Sequence, residues 1–307
     1  MCSTLTGSYS RVPRCIRDRI VPPEPITAAE RRHVLLRLNQ VIEHRLVTSD
    51  LPLQMRNLKI ENGLVTFYVE HEFEAVLTLM GEGPSVPWRL LKVNVLVSDK
   101  ETGEGKALMH SMQLRYMEQL VQSRLVDNPR PLHDLYNTLH SLCLALQLEV
   151  LNSQTMKLCY ERLGDYVRVE EYKPGSCLTL SYWRDLTTRD PNSELGYRFS
   201  VQVDPHDAAR PLMVCHVPPL SHNAADADLA MEKAIRSDHI SMERLLVHSI
   251  YVRTKSRLND LRTDLQKRLN LGDVEATLHG SPAVLSVPIL QPCLRYLVHI
   301  FCFVINE

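Results

Sequence analysis

The stretch Trp88–Leu125, WRLLKVNVLVSDKETGEGKALMHSMQLRYMEQLVQSRL, reads as a strand, a turn and a long helix in succession. From Arg89 to Val97 every second residue is apolar: Leu91, Val93, Val95 and Val97, with Leu90 and Leu96 on the other face. Val-rich alternation of this kind predicts a strand with at least one buried face. Ser98 to Gly105 stop it, because Asp and Gly favour turns. After Gly105 the period becomes helical. Met109, Met112, Tyr116 and Leu120 recur at three and four, with Leu114, Met117, Val121 and Leu125 beside them, and this predicts an amphipathic helix with a wide apolar stripe. Both elements need partners for those faces, and the flanking sequence supplies them.

Upstream, Thr27-Ala28-Ala29-Glu30 is a capping-box pattern. The helix it opens carries Val34, Leu35, Leu38, Val41, Ile42 and Leu46, and ends near Thr48-Ser49-Asp50. Leu58 and Ile60 begin a strand. Asn62-Gly63 predicts a two-residue hairpin turn, since both residues tolerate positive φ. Val65, Phe67 and Val69 form the return strand, and Phe73, Ala75, Leu77 and Leu79 a third. Downstream of the Met109 helix, Asp127-Asn128-Pro129 breaks the chain. A further helix starts near Pro131 and carries Leu132, Leu135, Leu139, Leu142, Leu146, Val150 and Leu151 toward Leu163, with Gly164 as its stop. Residues 26–164 are thus expected to form one α+β module: helix, four-stranded antiparallel meander, two helices. Residues 1–25, with Pro13, Pro22, Pro23 and Pro25 among Arg11, Arg14, Arg17 and Arg19, are expected to be an extended lead-in. Its arginines are read as solvated, with an acidic partner as the alternative.

Residues 165–307 are expected to form a second α+β module of strands followed by a long helix. Val167 and Val169, Cys177 to Tyr182, Tyr197 to Val203 and Leu212 to Val217 give strands. Arg184–Glu194 and residues 221–237 are polar connections. Ile240–Leu271 predicts a long helix with Leu245, Leu246, Ile250, Leu258, Leu261, Leu265 and Leu269 inside, Arg253, Lys255, Arg257, Arg262, Lys267 and Arg268 outside, and Gly272 at its end. Two weaker strands are expected at Ala283–Leu290 and Leu294–Val304.

The chain has 307 residues, 44% hydrophobic and 23% charged, with a net charge of -1. That composition is ordinary for a globular protein and gives no reason to expect direct nucleic-acid binding. No stretch reaches the roughly 20 apolar residues that span a bilayer, so no membrane partner is expected, and Met1 to Arg19 lacks the apolar core of a secretory signal. The eight cysteines, Cys2, Cys15, Cys143, Cys159, Cys177, Cys215, Cys293 and Cys302, form no CxxC pair. They read as free thiols in a reducing compartment.

The sequence offers no active site. GxSxG, GxxxxGK[ST] and HExxH are absent. His133 and His140, and likewise His239 and His248, share helical spacing without a completing ligand, so no metal is assigned. Glu70-His71-Glu72 falls in a charged turn. Asp99, Glu101 and Glu104 lack the spacing of a Ca²⁺ loop. Met242-Glu243-Arg244-Leu245-Leu246 is near an LxxLL docking pattern, and packing of the same leucines explains it. Catalytic, cofactor-binding and metal residues are therefore none, and no cofactor is expected. The alternatives carried forward are a cysteine-dependent enzyme, which needs a low-pKa thiol beside a His, and a ubiquitin-pathway binding module, which rests on fold analogy.

Several stretches resemble the Mediator subunit 14 family: TGSYSRVPRCIRDRIVPPEPIT (Thr6–Thr27), LNQVIEHRLVTSDLP (Leu38–Pro52), VPWRLLKVNVLVSDKETGEGKALMHSMQ (Val86–Gln113), QLVQSRL (Gln119–Leu125) and LHSLCLALQLEVLNSQT (Leu139–Thr155), and more weakly DHISMERLL (Asp238–Leu246) and VPILQPC (Val287–Cys293). The resemblance implies a nuclear, non-enzymatic scaffold subunit of a transcription coactivator. Its partners would be other Mediator subunits of the head and middle modules and, indirectly, RNA polymerase II and activators. It also implies repeated modules similar to RWD and ubiquitin-conjugating folds. The latter likeness is one of fold, as no His-Pro-Asn precedes a cysteine. Family members are longer, with additional N-terminal helices, so this chain is expected to begin inside the family protein and to depart from its pattern after Phe301.

Overall fold

The computed structural model describes residues 15, 16, 19, 26–83, 85–103, 107–183, 197–207, 209–219, 239–269, 276–277, 283–288 and 297–302. The chain divides into two compact units. One draws on Met1–Val69, Glu74–Val93 and Glu118–Leu135, the other on Glu70–Phe73, Asn94–Met117 and Tyr136–Glu307. Of the lead-in, Cys15, Ile16 and Arg19 are described. All three have helical backbone, not the extended path its prolines suggested. The connections Arg184–Glu194 and 221–237, and the stop at Gly272, lie outside the described residues.

Helix α1 spans Ala28–Thr48. The capping box is complete: Glu30 N donates to Thr27 Oγ1 at 3.2 Å, and Thr27 N donates to a Glu30 carboxylate oxygen at 2.9 Å. Two free backbone donors of the first turn are thereby satisfied. Ile42 and Leu46 are buried, while Val34 points outward. Four strands follow, β1 Leu58–Glu61, β2 Leu64–Val69, β3 Phe73–Leu79 and β4 Trp88–Val95, in the order β1-β2-β3-β4. The first turn is the predicted hairpin. Ile60 pairs with Val65 and Glu61 with Leu64, with Asn62 at φ 52° and Gly63 at φ 72°. Gly63 is further fixed by a close approach: a Cβ there would sit 2.6 Å from Leu38 Cδ2. Its N–H donates to Asn39 Oδ1 at 2.7 Å and its carbonyl accepts from Thr78 Oγ1 at 2.7 Å.

The alternation read for β4 is only half right. Trp88 and Leu90 are buried, then Val93 and Val97. The buried set therefore changes parity between Leu90 and Val93, and Leu91 and Val95 are only half-buried.

Helix α2 spans Ser111–Asp127. The stripe expected to face the core does not. Met112 and Tyr116 are 64% and 65% exposed, whereas Val121 and Leu125 are 0% and 2% exposed. The helix is apolar on more than one side, and the flanking set, not the Met112–Tyr116 row, was the one buried.

Helix α3 spans Pro131–Leu158 and continues as a π-helical turn, Cys159–Leu163. It is buried on nearly all sides, including Leu132, Leu135, Leu139, Cys143, Leu144, Leu148, Leu151 and Leu158. Gly164 ends it in a right-handed conformation, φ −58°. Glycine is needed there for clearance: a Cβ would meet Cys159 O at 2.7 Å.

A second antiparallel sheet follows, ordered β5 Val167–Lys173, β6 Cys177–Tyr182, β7 Tyr197–Gln202 and β8 Met213–Val217. Register puts Leu178 opposite Val201, Leu180 opposite Phe199 and Tyr182 opposite Tyr197, so one face is apolar. On the alternate face Thr179 Oγ1 donates to Ser200 Oγ at 3.1 Å. Helix α4, Met242–Leu269, buries Leu245, Leu246 and Leu258 as expected. It also buries Arg253, 3% exposed and expected outside, while Leu261, expected inside, is 44% exposed. A three-stranded sheet completes the described chain, in the order β11-β10-β9: β9 Ala276–Thr277, β10 Ala283–Pro288 and β11 Leu297–Cys302. The architecture is α+β, with a helix before the first four-stranded sheet and a long helix after the second.

Burial separates two substitutions of similar appearance. Leu139→Asp places an unpaired carboxylate at a fully buried site and should abolish the cooperative thermal transition. Tyr116→Asp, at an exposed site, should leave stability within about 0.5 kcal/mol of the parent. Circular-dichroism melts of both variants check this.

Candidate interaction surfaces

Among the described residues, no group of three or more His, Cys, Asp or Glu side chains is placed to hold a metal ion. None of the described helices is long and apolar enough to cross a membrane. The polar clusters that exist are built into the fold, and each answers one of the candidate residues.

In the first unit the polar work is done at the edge of the sheet. β4 has a neighbour on one side only. Its other edge is met by side chains of α2. Leu90 N donates to Gln122 Oε1 at 2.8 Å, Gln122 Nε2 donates to Trp88 O at 3.1 Å, and Val93 N donates to Glu118 Oε1 at 3.3 Å. One glutamine amide matches the donor–acceptor spacing of a strand edge, so it takes the place of another strand. Arg45 adds a guanidinium 5.8 Å from the Trp88 ring and donates to Gly83 O at 3.2 Å. His133 Nε2 lies 3.2 Å from Asp50 Oδ2.

The second unit holds three buried polar centres. The first is His140, 1% exposed. Its Nε2 is 3.1 Å from Arg210 O, and a carbonyl can only accept, so Nε2 carries a hydrogen. Nδ1 lies 2.6 Å from Glu72 Oε2. Tyr136 stacks on the imidazole with centroids 5.0 Å apart. Glu72 of the Glu70-His71-Glu72 turn is thus a fixed partner of a histidine 68 positions away. No local spacing signals that pair.

The second centre is Asp99. It accepts from Glu101 N and Thr102 N at 3.0 and 3.1 Å, which closes the turn, and from Gln154 Nε2 at 3.0 Å. Gln154 also donates to Ile240 O at 3.1 Å and accepts from Met242 N at 2.8 Å. All five of these hydrogen bonds are internal to the fold, and Asp99 serves as a turn anchor. Glu104 lies outside the described residues. Met242, Leu245 and Leu246 are 1%, 1% and 4% exposed, so the LxxLL-like leucines belong to the core.

The third centre is Arg253, which donates from Nη2 to Pro218 O at 2.6 Å and from Nε to Tyr182 Oη at 3.4 Å. Nearby His216 is held at about 4, well below the usual 6.5, first by burial and then by the positive charge of Arg253 and His248. His248 lies with its ring centroid 6.5 Å from that of Tyr251, and His239 is exposed.

Two thiols are shifted away from nucleophilic chemistry. Burial pushes Cys143 well up, with the Glu72 charge adding to it, and burial raises Cys159 as well. A catalytic cysteine needs the opposite shift. Cys2 and Cys293, and the lead-in's Arg11, Arg14 and Arg17, lie outside the described residues.

Two pairs of exposed apolar side chains stand out on the helices. Met112 and Tyr116 stand one turn apart on α2. Met156 and Tyr160, 58% and 93% exposed, stand one turn apart at the end of α3. The rest of α3 is turned into the fold, so its exposed apolar surface lies at its C-terminal end.

Two outcomes follow from these contacts. Gln122→Ala leaves the Leu90 N–H and Trp88 C=O without their partner; it should cost about 1–3 kcal/mol and increase self-association through the β4 edge, read by thermal melts and light scattering. His216 takes up its proton later when folded than when unfolded, because its folded value of about 4 lies below 6.5. Its contribution is intact above about pH 6.5 and falls as pH drops toward 4. The midpoint of unfolding should decline between pH 7 and 5, and decline less in His216→Gln.

Comparison with known proteins gives a single family. A model described as Mediator complex subunit MED14 matches residues 4–81. One described as Mediator of RNA polymerase II transcription subunit 14, RM2, matches residues 159–240, and one described as Med14 RM domain matches residues 243–300. Over 290 residues the chain is 58% identical to the Mediator of RNA polymerase II transcription subunit 14 of Anopheles gambiae, covering 94% of this chain and 17% of the relative. It is 50% identical over 289 residues to the Homo sapiens protein of that name, covering 94% and 20%. The Caenorhabditis elegans protein is 35% identical over 288 residues, covering 91% and 18%. The chain therefore spans about a fifth of the length of these relatives.

Proposed function

The chain belongs to the Mediator subunit 14 family, and we propose on that premise that it is a non-enzymatic scaffold segment of the Mediator coactivator in the nucleus. It would link other Mediator subunits, those of the head and middle modules, and would connect activators to RNA polymerase II through them. The observation that carries the reading is identity of 50% or more to relatives named as Mediator subunit 14 across 94% of the chain. A role in RNA polymerase II transcription follows from those names.

The side chains support a protein that works through surfaces. Glu72, Asp99, His140 and Gln154 are engaged in internal hydrogen bonds. Burial raises two of the thiols that a cysteine enzyme would draw on. Among the exposed apolar side chains, Met112 and Tyr116, and Met156 and Tyr160, form pairs one helical turn apart. Met and Tyr are enriched where proteins meet, since Met adapts its shape and Tyr offers a large ring with a polar tip. Rigid α+β modules would hold these side chains toward neighbouring subunits.

The test is affinity purification of the tagged chain from nuclear extract, with mass spectrometry of the proteins retained. Recovery of Mediator subunits is expected, and Met112→Asp with Tyr116→Asp should reduce it while the circular-dichroism spectrum stays unchanged. A folded chain that retains no Mediator subunit would overturn the reading.

A further inference from the structure

At one end of the second unit's four-stranded sheet, rings and guanidinium groups gather. Tyr182 and Tyr197 are register partners with centroids 6.0 Å apart. Trp183 follows at φ 52°, a left-handed backbone that a bulky side chain seldom adopts. Its indole meets the Tyr197 ring edge-on, at 5.5 Å and 77°. From α4, the Arg253 guanidinium lies 4.9 Å from the Tyr197 centroid and that of Arg257, one turn further on, lies 5.9 Å away. Both distances are within the range of cation–π attraction. Trp183 and Tyr197 are half-buried and Arg257 is exposed.

The charge around this cluster is one-sided. Arg37, Arg162 and Arg210 each face a carboxylate. Among the described residues no carboxylate pairs with Arg253 or Arg257. Over Met242–Leu269 the helix carries seven Arg and Lys residues against three acids, Glu243, Asp260 and Asp264, with Asp260 one turn beyond Arg257, in a chain whose net charge is -1. The fold has placed two aromatic faces beside a local excess of positive charge and has balanced neither with an acid of its own among the described residues.

We propose that Trp183, Tyr197, Arg253 and Arg257 form a docking point for an acidic peptide segment of a partner protein, one that carries an aromatic or aliphatic side chain between carboxylates. The exposed Arg257 fork receives a carboxylate in bidentate geometry. The apolar side chain of the peptide lies against the half-buried faces of Trp183 and Tyr197. Arg253, held by Pro218 O and Tyr182 Oη, keeps the Tyr197 ring in place and adds its charge from beneath. A nucleic acid is disfavoured: binding to a polyanion draws on an extended basic face, whereas this site presents two guanidinium groups, Arg253 and Arg257, one turn apart on one helix. The inference goes beyond membership of the complex, because it concerns the purified chain and a peptide alone.

Fluorescence anisotropy tests it, with the full chain and a short fluorescein-labelled peptide of Asp, Glu, Phe and Leu. Saturable binding that weakens with added salt is expected. Arg257→Glu, at an exposed position, should weaken it on the order of tenfold or more with an unchanged melting midpoint, and Trp183→Ala should also weaken it. The twin peptide with Lys in place of each acid should not bind. Equal affinity of the parent and Arg257→Glu for the acidic peptide, or tighter binding of oligo-dT than of peptide, would overturn the proposal. So would binding that appears only in the D185N/D190N/E194Q variant, which would assign the site to the chain's own acids.

Discussion

A strand at the edge of a sheet presents N–H and C=O groups that must be satisfied or left as a template for another chain. In the first unit β4 is such a strand, and the amide of Gln122 answers it with one accepted and one donated bond. Glu118, one turn earlier on α2, answers the next free N–H. This is a demanding arrangement. It needs the helix to run beside the strand with two long polar side chains pointing inward, while Val121 and Leu125 supply the apolar contact. The orientation of α2 follows. A helix turned to bury Met112 and Tyr116 would carry Gln122 and Glu118 away from the strand, and β4 would lose its cover. Each unmade buried hydrogen bond costs roughly 1–3 kcal/mol, so edge closure can outweigh the choice between two apolar faces of similar size.

The second unit applies the same logic to single polar groups. His140, Gln154 and Arg253 are long-range ties between segments far apart in sequence, and each is buried. Buried polar groups of this kind add little net stability over an apolar replacement, but they cost heavily when half-satisfied. Their effect is to exclude alternative packings. Gln154 will not tolerate a start of α4 displaced from Ile240 and Met242, and His140 will not tolerate a β2–β3 turn that swings Glu72 outward. Tyr172, whose hydroxyl faces Glu149, is pushed up to about 12 by burial and by that carboxylate, so it remains a neutral donor throughout the physiological range.

Local rules were legible in the sequence. Thr27 to Glu30 announced a cap, Asn62-Gly63 a hairpin, and periods of two and of three to four marked sheets and helices; all of these recur in the structure. The misreadings share one physical cause. Periodicity tells which residues can share a face, and it does not tell which face wins when two are apolar, as on α2. It assumes unbroken alternation, which β4 abandons between Leu90 and Val93. It counts Arg253 as solvated because charge predicts exposure, whereas a carbonyl, a hydroxyl and an aromatic ring can together house a guanidinium. The partners of Glu72 and Asp99 lie 68 and 55 positions away, and no local pattern encodes such a distance.

The same competition accounts for what the chain presents outward. α3 is so apolar that nearly its whole circumference is taken into the fold, and α2 commits its Val121–Leu125 side. Exposed apolar residues occur along the described chain, Val47, Leu53 and Met80 among them, and two pairs stand one turn apart, Met112 with Tyr116 and Met156 with Tyr160, at positions the fold does not require for closure. An exposed apolar pair lowers solubility without adding stability, so a free-standing protein gains nothing from it. In a segment that belongs to a large assembly the balance reverses, because a neighbour removes that surface from water at about 25 cal/mol per Å². The fold thus sorts its apolar residues twice: edge closure decides which face of α2 turns inward, and the face it releases becomes available for assembly.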